Sequence, residues 1–272
     1  MVESQDRYKV IRKKIVKISN KKFNRPIVCL TAYTAWMAKI LDGVVDIVLV
    51  GDSLGSTVYG MKNTQEVSIE MMKQHGKAVI DHVNKSITII DMPYKTYENK
   101  SQALKNAGIL KNFTKADFIK LEINKNKLPI IKYLTEKKFN VVAHIGVTPQ
   151  DFKNFNKIKI EGKTSKTQKN LLELAINAQN AGAKILLLEC IAQETAKKIS
   201  SLVKIPTIGI GSSKNCDGQV LVTDDIIKLN ERNKKLKFVK IYSNIGKLIK
   251  ISIKKFANDI KSEKFPTKRN SF

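Results

Sequence analysis

A chain of 272 residues, 42% of them apolar, has room for one large domain or two ordinary ones and for a sizeable core. It has no apolar run approaching the roughly 20 residues a membrane span requires, so no membrane role is expected. Its formal charge of +26 raises nucleic acid as a partner, but the arginines are only Arg7, Arg12, Arg25, Arg232 and Arg269, and the lysines spread along the whole chain, so no specific nucleic-acid role is expected.

In chain order, short apolar runs rich in Ile and Val alternate with longer amphipathic stretches. The expected strands are "PIVCLTAY" from Pro26, "VDIVLVGD" from Val45, "SITIIDMP" from Ser86, "DFIKLE" from Asp117, "NVVAHIG" from Asn140, "KILLLEC" from Lys184, "IPTIGIG" from Ile205 and "KFVKIY" from Lys237. Most are apolar on both parities, as parallel strands buried on two faces are. Helical patterns fill the gaps: "TAWMAKILD", "TQEVSIEMMKQHGKAVIDHV", "NKSQALKNAGILKNF", "KNKLPIIKYLTEKKF", "TQKNLLELAINAQNAGA" and "AQETAKKISSLV".

Eight strands separated by helices in about 250 residues point to an α/β fold, a closed (β/α)8 TIM barrel. An open doubly wound sheet is the alternative. The expected organisation is a single barrel domain over 1–272. Residues 1–25 form an extra N-terminal helix closing the barrel floor, 26–245 the barrel strands and helices, and 246–272 a C-terminal helix and tail.

Four of these strands end in an acid: Asp52, Asp91, Glu122 and Glu189. In a parallel barrel all carboxyl ends open on one rim, where active sites are built. Four carboxylates in a partly dry pocket need a positive partner. A divalent cation is one candidate, and oxygen-only ligands select Mg2+ or a similar hard ion. Lys120 is the other, two residues before Glu122 and so on the same strand face. A lysine there could instead be a Schiff-base nucleophile.

His144, ending the fifth strand, reads equally as a hydrogen-bonded wall residue or an acid–base group. Ser53 lacks a GxSxG context and reads as a hydrogen-bond donor to a substrate carboxylate. Trp36 reads as a packing residue. "GIGSSKNCDGQ" from Gly209 is a weak dinucleotide signature and a candidate anion loop. Cys29, Cys190 and Cys216 lack CxxC spacing and read as free thiols, Cys29 and Cys190 buried, in a reducing compartment, hence a cytoplasmic location.

"LTAY", "DIVLVGDSLG", "DMPY", "KLE", "HIGVTPQ", "LLLEC", "PTIGIGSS" and "CDGQVLV" occur in this order. With them the chain resembles the ketopantoate hydroxymethyltransferase family, from about Leu30 to about Tyr242. The resemblance implies a barrel of the phosphoenolpyruvate/pyruvate superfamily, cytoplasmic and assembled as a homo-oligomer, a decamer.

It also implies hydroxymethyl transfer from 5,10-methylenetetrahydrofolate, the co-substrate, to the small keto acid 3-methyl-2-oxobutanoate. The product is 2-dehydropantoate, formed through a Mg2+-stabilised enolate in pantothenate and coenzyme A synthesis. On this sequence the family's metal ligands fall on Asp52 and Asp91, with Glu122 in the metal's environment. Its keto-acid contacts fall on Asp52, Ser53, Asp91 and Lys120, and its catalytic proton acceptor on Glu189. The chain departs from the family pattern at Ala143, Ile123, Asn124, Ser212 and Ser213, and in "KIKIEG" from Lys157. Those loops border the expected folate side. The alternative is another metal-dependent carbon–carbon lyase or mutase of the same superfamily.

Overall fold

The structure is a computed structural model describing residues 13–16, 18, 25–152, 159–229 and 236–272. The chain divides into two compact units, Met1–Val222 and Thr223–Phe272.

The first unit is a closed parallel barrel whose eight strands follow chain order. The strands are β1 (Ile27–Thr31), β2 (Ile47–Val50), β3 (Ile87–Asp91), β4 (Phe118–Glu122), β5 (Val141–Gly146), β6 (Ile185–Glu189), β7 (Thr207–Ile210) and β8 (Gly218–Leu221). Between them lie α1 (Ala35–Leu41), α2 (Leu54–Thr57), α3 (Ile69–Ile80), α4 (Lys100–Thr114), α5 (Leu128–Glu136), α6 (Ser165–Asn180) and α7 (Gln193–Leu202). Side-chain caps start the longer helices: Ser68 accepts from Met71 N, Asn99 from Gln102 N, and Thr164 shares a capping box with Thr167.

Inward positions repeat with period two, and their chemistry changes along each strand. At the floor they are apolar: Ile47, Ile87, Phe118, Val142, Ile185 and Ile208 form one buried cluster with Ile18, from the helical residues before β1. Burying each such side chain is worth about 1.5–3 kcal/mol. Two residues further, on the same face, stand Leu49, Ile89 and Leu187, but also Lys120 and His144. At the upper ends the set becomes Asp91, Glu122 and Glu189. One alternation thus builds both the core and the site.

The floor is latched by acids that precede even-numbered strands. Asp46 accepts from Val28 N at 2.9 Å and pairs with both Arg25 nitrogens. Asp117 accepts from Thr88 N at 2.9 Å and Asp217 from Thr207 N at 2.7 Å. Each supplies a partner to an amide at the start of a strand, the second of β1 and of β3 and the first of β7.

One expected strand is corrected. "KFVKIY", 237–242, is not a strand; it is irregular chain with Ile241 and Tyr242 exposed. The eighth strand is "GQVL", 218–221, inside a motif that reads as a loop. β1 and β8 approach so closely that a Cβ on Gly218 would lie 2.6 Å from Ile27 O. Glycine is required there, and it hides the strand from a reading based on β-branched residues.

In the second unit, α8 (Thr223–Ile226) is followed by α9 (Ile245–Lys261), capped by Asn244 and carrying no buried residue. Among the described residues no helix is long and apolar enough to cross a membrane.

Candidate active site

The register explains how the acids meet. Asp91 pairs with Lys120 across β3 and β4, and Glu122 with His144 across β4 and β5. Paired residues on parallel strands point to the same face, and Lys120 and Glu122 share it as i and i+2. β6 adds Glu189, two residues beyond Leu187, the partner of His144. Asp52 follows β2 after Gly51, and its backbone N–H donates to Asp91 Oδ2 at 3.1 Å.

Lys120 Nζ donates to the same Asp91 oxygen at 2.8 Å. Asp91 Oδ1 is buried without a hydrogen-bond partner. A Cβ on Gly51 would lie 2.8 Å from Ser53 Oγ and 3.6 Å from Asp91 Oδ2, so glycine keeps the space between them open. Tyr33 OH and Ser53 Oγ are 2.7 Å apart, which orients the serine hydroxyl. His144 lies between two acids, its Nδ1 3.6 Å from Glu122 Oε1 and its Nε2 3.4 Å from Glu189 Oε2, with neither nitrogen hydrogen-bonded. The structure therefore gathers Asp52, Asp91, Lys120, Glu122, His144 and Glu189, with Ser53 at the edge.

Electrostatics follow from burial. The Asp52 carboxyl is pushed up to about 6 by burial and by Asp91. Burial, with Asp52, raises Glu122 well above the carboxylate range. Burial raises Glu189 to about 8, although its side chain keeps 19% exposure. For Lys120, burial alone would lower the pKa. Asp91, Asp52 and Glu122 outweigh it and hold the ammonium above its ordinary value. Burial and the Lys120 charge keep His144 well below its usual range, so it is neutral. One ammonium facing four buried carboxyls leaves a deficit of positive charge.

Among the described residues no cluster of three or more His, Cys, Asp or Glu is arranged to hold a metal. Asp52 and Asp91 adjoin, while Glu122 Oε2 is taken by Gln150 N at 3.0 Å.

Sequence reasoning left Gln150, Tyr97 and Tyr33 unassigned. Gln150, at the end of "HIGVTPQ", donates through Nε2 to Asp52 Oδ2 at 2.7 Å and accepts from Tyr97 OH. Trp36, expected to pack, is 54% exposed, because α1 buries Met37, Ala38 and Leu41 on its other side. Cys29 is buried, but Cys190, at a positive φ after β6, is only partly so. In the loop after β7, Ser212 Oγ donates to Leu188 O at 2.7 Å and Gln219 Nε2 to Ser213 O at 2.9 Å.

The family profile described as ketopantoate hydroxymethyltransferase matches residues 12–268. The chain belongs to this family. Among relatives named 3-methyl-2-oxobutanoate hydroxymethyltransferase, one from Pelagibacter ubique (strain HTCC1062) is 45% identical over 262 residues, covering 96% of this chain and 100% of its own. Another, from Helicobacter pylori (strain P12), is 42% identical over 252 residues, covering 93% of each.

Ketopantoate hydroxymethyltransferase family membership fits the fold of more distant solved structures. A 2,3-dimethylmalate lyase, a PEP mutase/isocitrate lyase superfamily member, aligns with TM-score 0.59 at 11% identity, over 94% of this chain and 92% of its own. An oxaloacetate acetylhydrolase aligns with TM-score 0.60 at 12% identity, over 94% and 97%. These likenesses bear out the barrel fold.

Proposed function

We propose that the chain transfers a hydroxymethyl group from 5,10-methylenetetrahydrofolate to 3-methyl-2-oxobutanoate, giving 2-dehydropantoate for pantothenate and coenzyme A synthesis. Beside family membership, the observation that carries this reading is the buried acid cluster built around the Asp52–Asp91 contact.

The residues fit a hard divalent cation such as Mg2+. Two buried carboxyl groups that act on each other electrostatically, one with a buried oxygen lacking any partner, are the donor set such an ion takes when substrate and water complete its shell. Asp52 and Asp91 would hold it, with Glu122 in its surroundings. The cation, when bound, would stabilise negative charge developing on the keto oxygen of the substrate.

The chain's own groups do the rest. Lys120 and Ser53 receive the keto acid's carboxylate, Lys120 by charge and Ser53 through a hydroxyl set by Tyr33. Glu189 accepts the proton from C3, and its raised pKa suits a base working near neutrality. The electron pair left on C3 attacks the one-carbon unit released by the folate, and one water supplies the product hydroxyl. The apolar floor beneath the site keeps bulk water from below.

A Schiff-base aldolase built on Lys120 is disfavoured, since an amine nucleophile needs a lowered pKa and this one is raised by three acids. The free thiols Cys29, Cys190 and Cys216 support a cytoplasmic location. Exposed Leu248, Ile253 and Phe256 on α9 support a homo-oligomer, taken as a decamer.

The test is an assay with both co-substrates, with and without chelator. Product formation that stops with chelator and returns with Mg2+ is expected. No product under any metal condition would overturn the reading.

A further inference from the structure

Gln150 is 3% exposed, and its side chain makes three hydrogen bonds at the site, using both amide protons. Nε2 donates to Asp52 Oδ2 at 2.7 Å and to Met92 O at 3.0 Å. Oε1 accepts from Tyr97 OH at 2.5 Å. Both Nε2 partners are acceptors only, so the amide has one orientation; a flipped amide would set two oxygens against each other. The backbone joins in: Gln150 N donates to Glu122 Oε2 at 3.0 Å, and Gln150 O accepts from Gln65 Nε2 at 2.8 Å. One residue on the loop after β5 thus reaches the ends of β2, β3 and β4.

We propose that Gln150 is a positioning residue for the cation site: its amide holds Asp52 Oδ2, fixes the rotation of that carboxylate and leaves Oδ1 to face the ion. Tyr97 fixes Gln150 in turn. The inference rests on the cation reading given above. Neither residue touches the reacting atoms; they act through Asp52 and Glu122. Groups that orient a metal-bound carboxylate by hydrogen bonding typically change metal affinity by 10–100-fold when removed.

The experiment is Mn2+ titration of the full chain, read by the electron paramagnetic resonance of free Mn2+, without substrate. Wild type, Gln150→Met, Tyr97→Phe and Asp91→Asn are compared, with thermal melts to verify folding. Gln150→Met should bind Mn2+ about 10–100-fold more weakly. Tyr97→Phe, which keeps the Asp52 contact, should show a loss of a few-fold, and it carries the test if Gln150→Met fails to fold. Excess Mn2+ should restore turnover to Gln150→Met and not to Asp91→Asn.

Wild type that binds Mn2+, with Gln150→Met binding it as tightly, would overturn the positioning role alone. Wild type that binds none would overturn the cation reading and this inference with it.

Discussion

Lys120 Nζ lies 2.8 Å from Asp91 Oδ2, and the two side chains are only 6% and 3% exposed. Charges held this dry are expensive unless paired, and removing one partner of a buried pair typically costs about 3–5 kcal/mol. The pair is therefore part of the fold as well as the site. Because Asp91, Asp52 and Glu122 together raise the Lys120 pKa, the amine stays charged and unreactive toward a carbonyl. Borohydride added with the keto acid should leave Lys120 unmodified in a mass spectrum. A mass increase on Lys120 would restore the aldolase reading.

The same pair separates two substitutions at Asp91. Asp91→Ala leaves Lys120 buried without its closest partner and should lose about 3–5 kcal/mol of unfolding free energy in a denaturant melt. Asp91→Asn keeps an oxygen for Lys120 and should lose less. Both should lose cation-dependent turnover. Equal stability for wild type and Asp91→Ala would mean that the pair contributes nothing to folding.

Glu189 has a folded-state pKa raised from 4.5 to about 8 by burial, so the fold favours its protonated form. The contribution to stability is complete below pH 4.5, declines as pH rises and is gone above about 8. Without a divalent cation, wild type should lose stability across this window. Glu189→Gln, which cannot ionise, should lose less of it. Activity runs the opposite way, since a base must be ionised: kcat/KM should rise with pH, its midpoint drawn below 8 by a bound cation. Glu189→Gln should lower kcat by about 100-fold or more at every pH. Wild-type activity in that variant would assign the proton to another group.

Gly146 closes β5 at φ +98, and a Cβ there would sit 2.3 Å from Glu189 O. That neighbour is backbone and cannot swing aside. Gly146→Ala should cost about 1–3 kcal/mol in backbone strain alone and displace the end of β6. A melt should show the lower stability, and kcat should fall more than KM rises, because Glu189 is the residue moved. An unchanged kcat would show that β6 tolerates the shift.

How far the sequence was legible follows from particular residues. β2 to β6 were readable because each is a mostly apolar run meeting an acid, a histidine or a glycine, and the acids mark the rim. β8 was not, since Gly218 and Gln219 are poor strand formers held there by packing against β1. The acids of the site were legible because charge at the end of a buried strand is anomalous. Gln150 and Tyr97 were not, since an amide in a loop and a tyrosine before a helix carry no such anomaly; their importance lies in bonds across 53 residues of chain. Asp46, Asp117 and Asp217 look like the site acids in sequence, but they start strands and serve the floor.

The most direct measurement is deuterium uptake at C3 of 3-methyl-2-oxobutanoate in D2O, followed by proton NMR without folate. It isolates proton removal from one-carbon transfer. Exchange should require a divalent cation, Asp91 and Glu189, and should stop with chelator, in Asp91→Asn and in Glu189→Gln. Exchange as fast with chelator as without it, or undiminished in Asp91→Asn, would contradict a cation held by Asp52 and Asp91 as the source of C3 acidity.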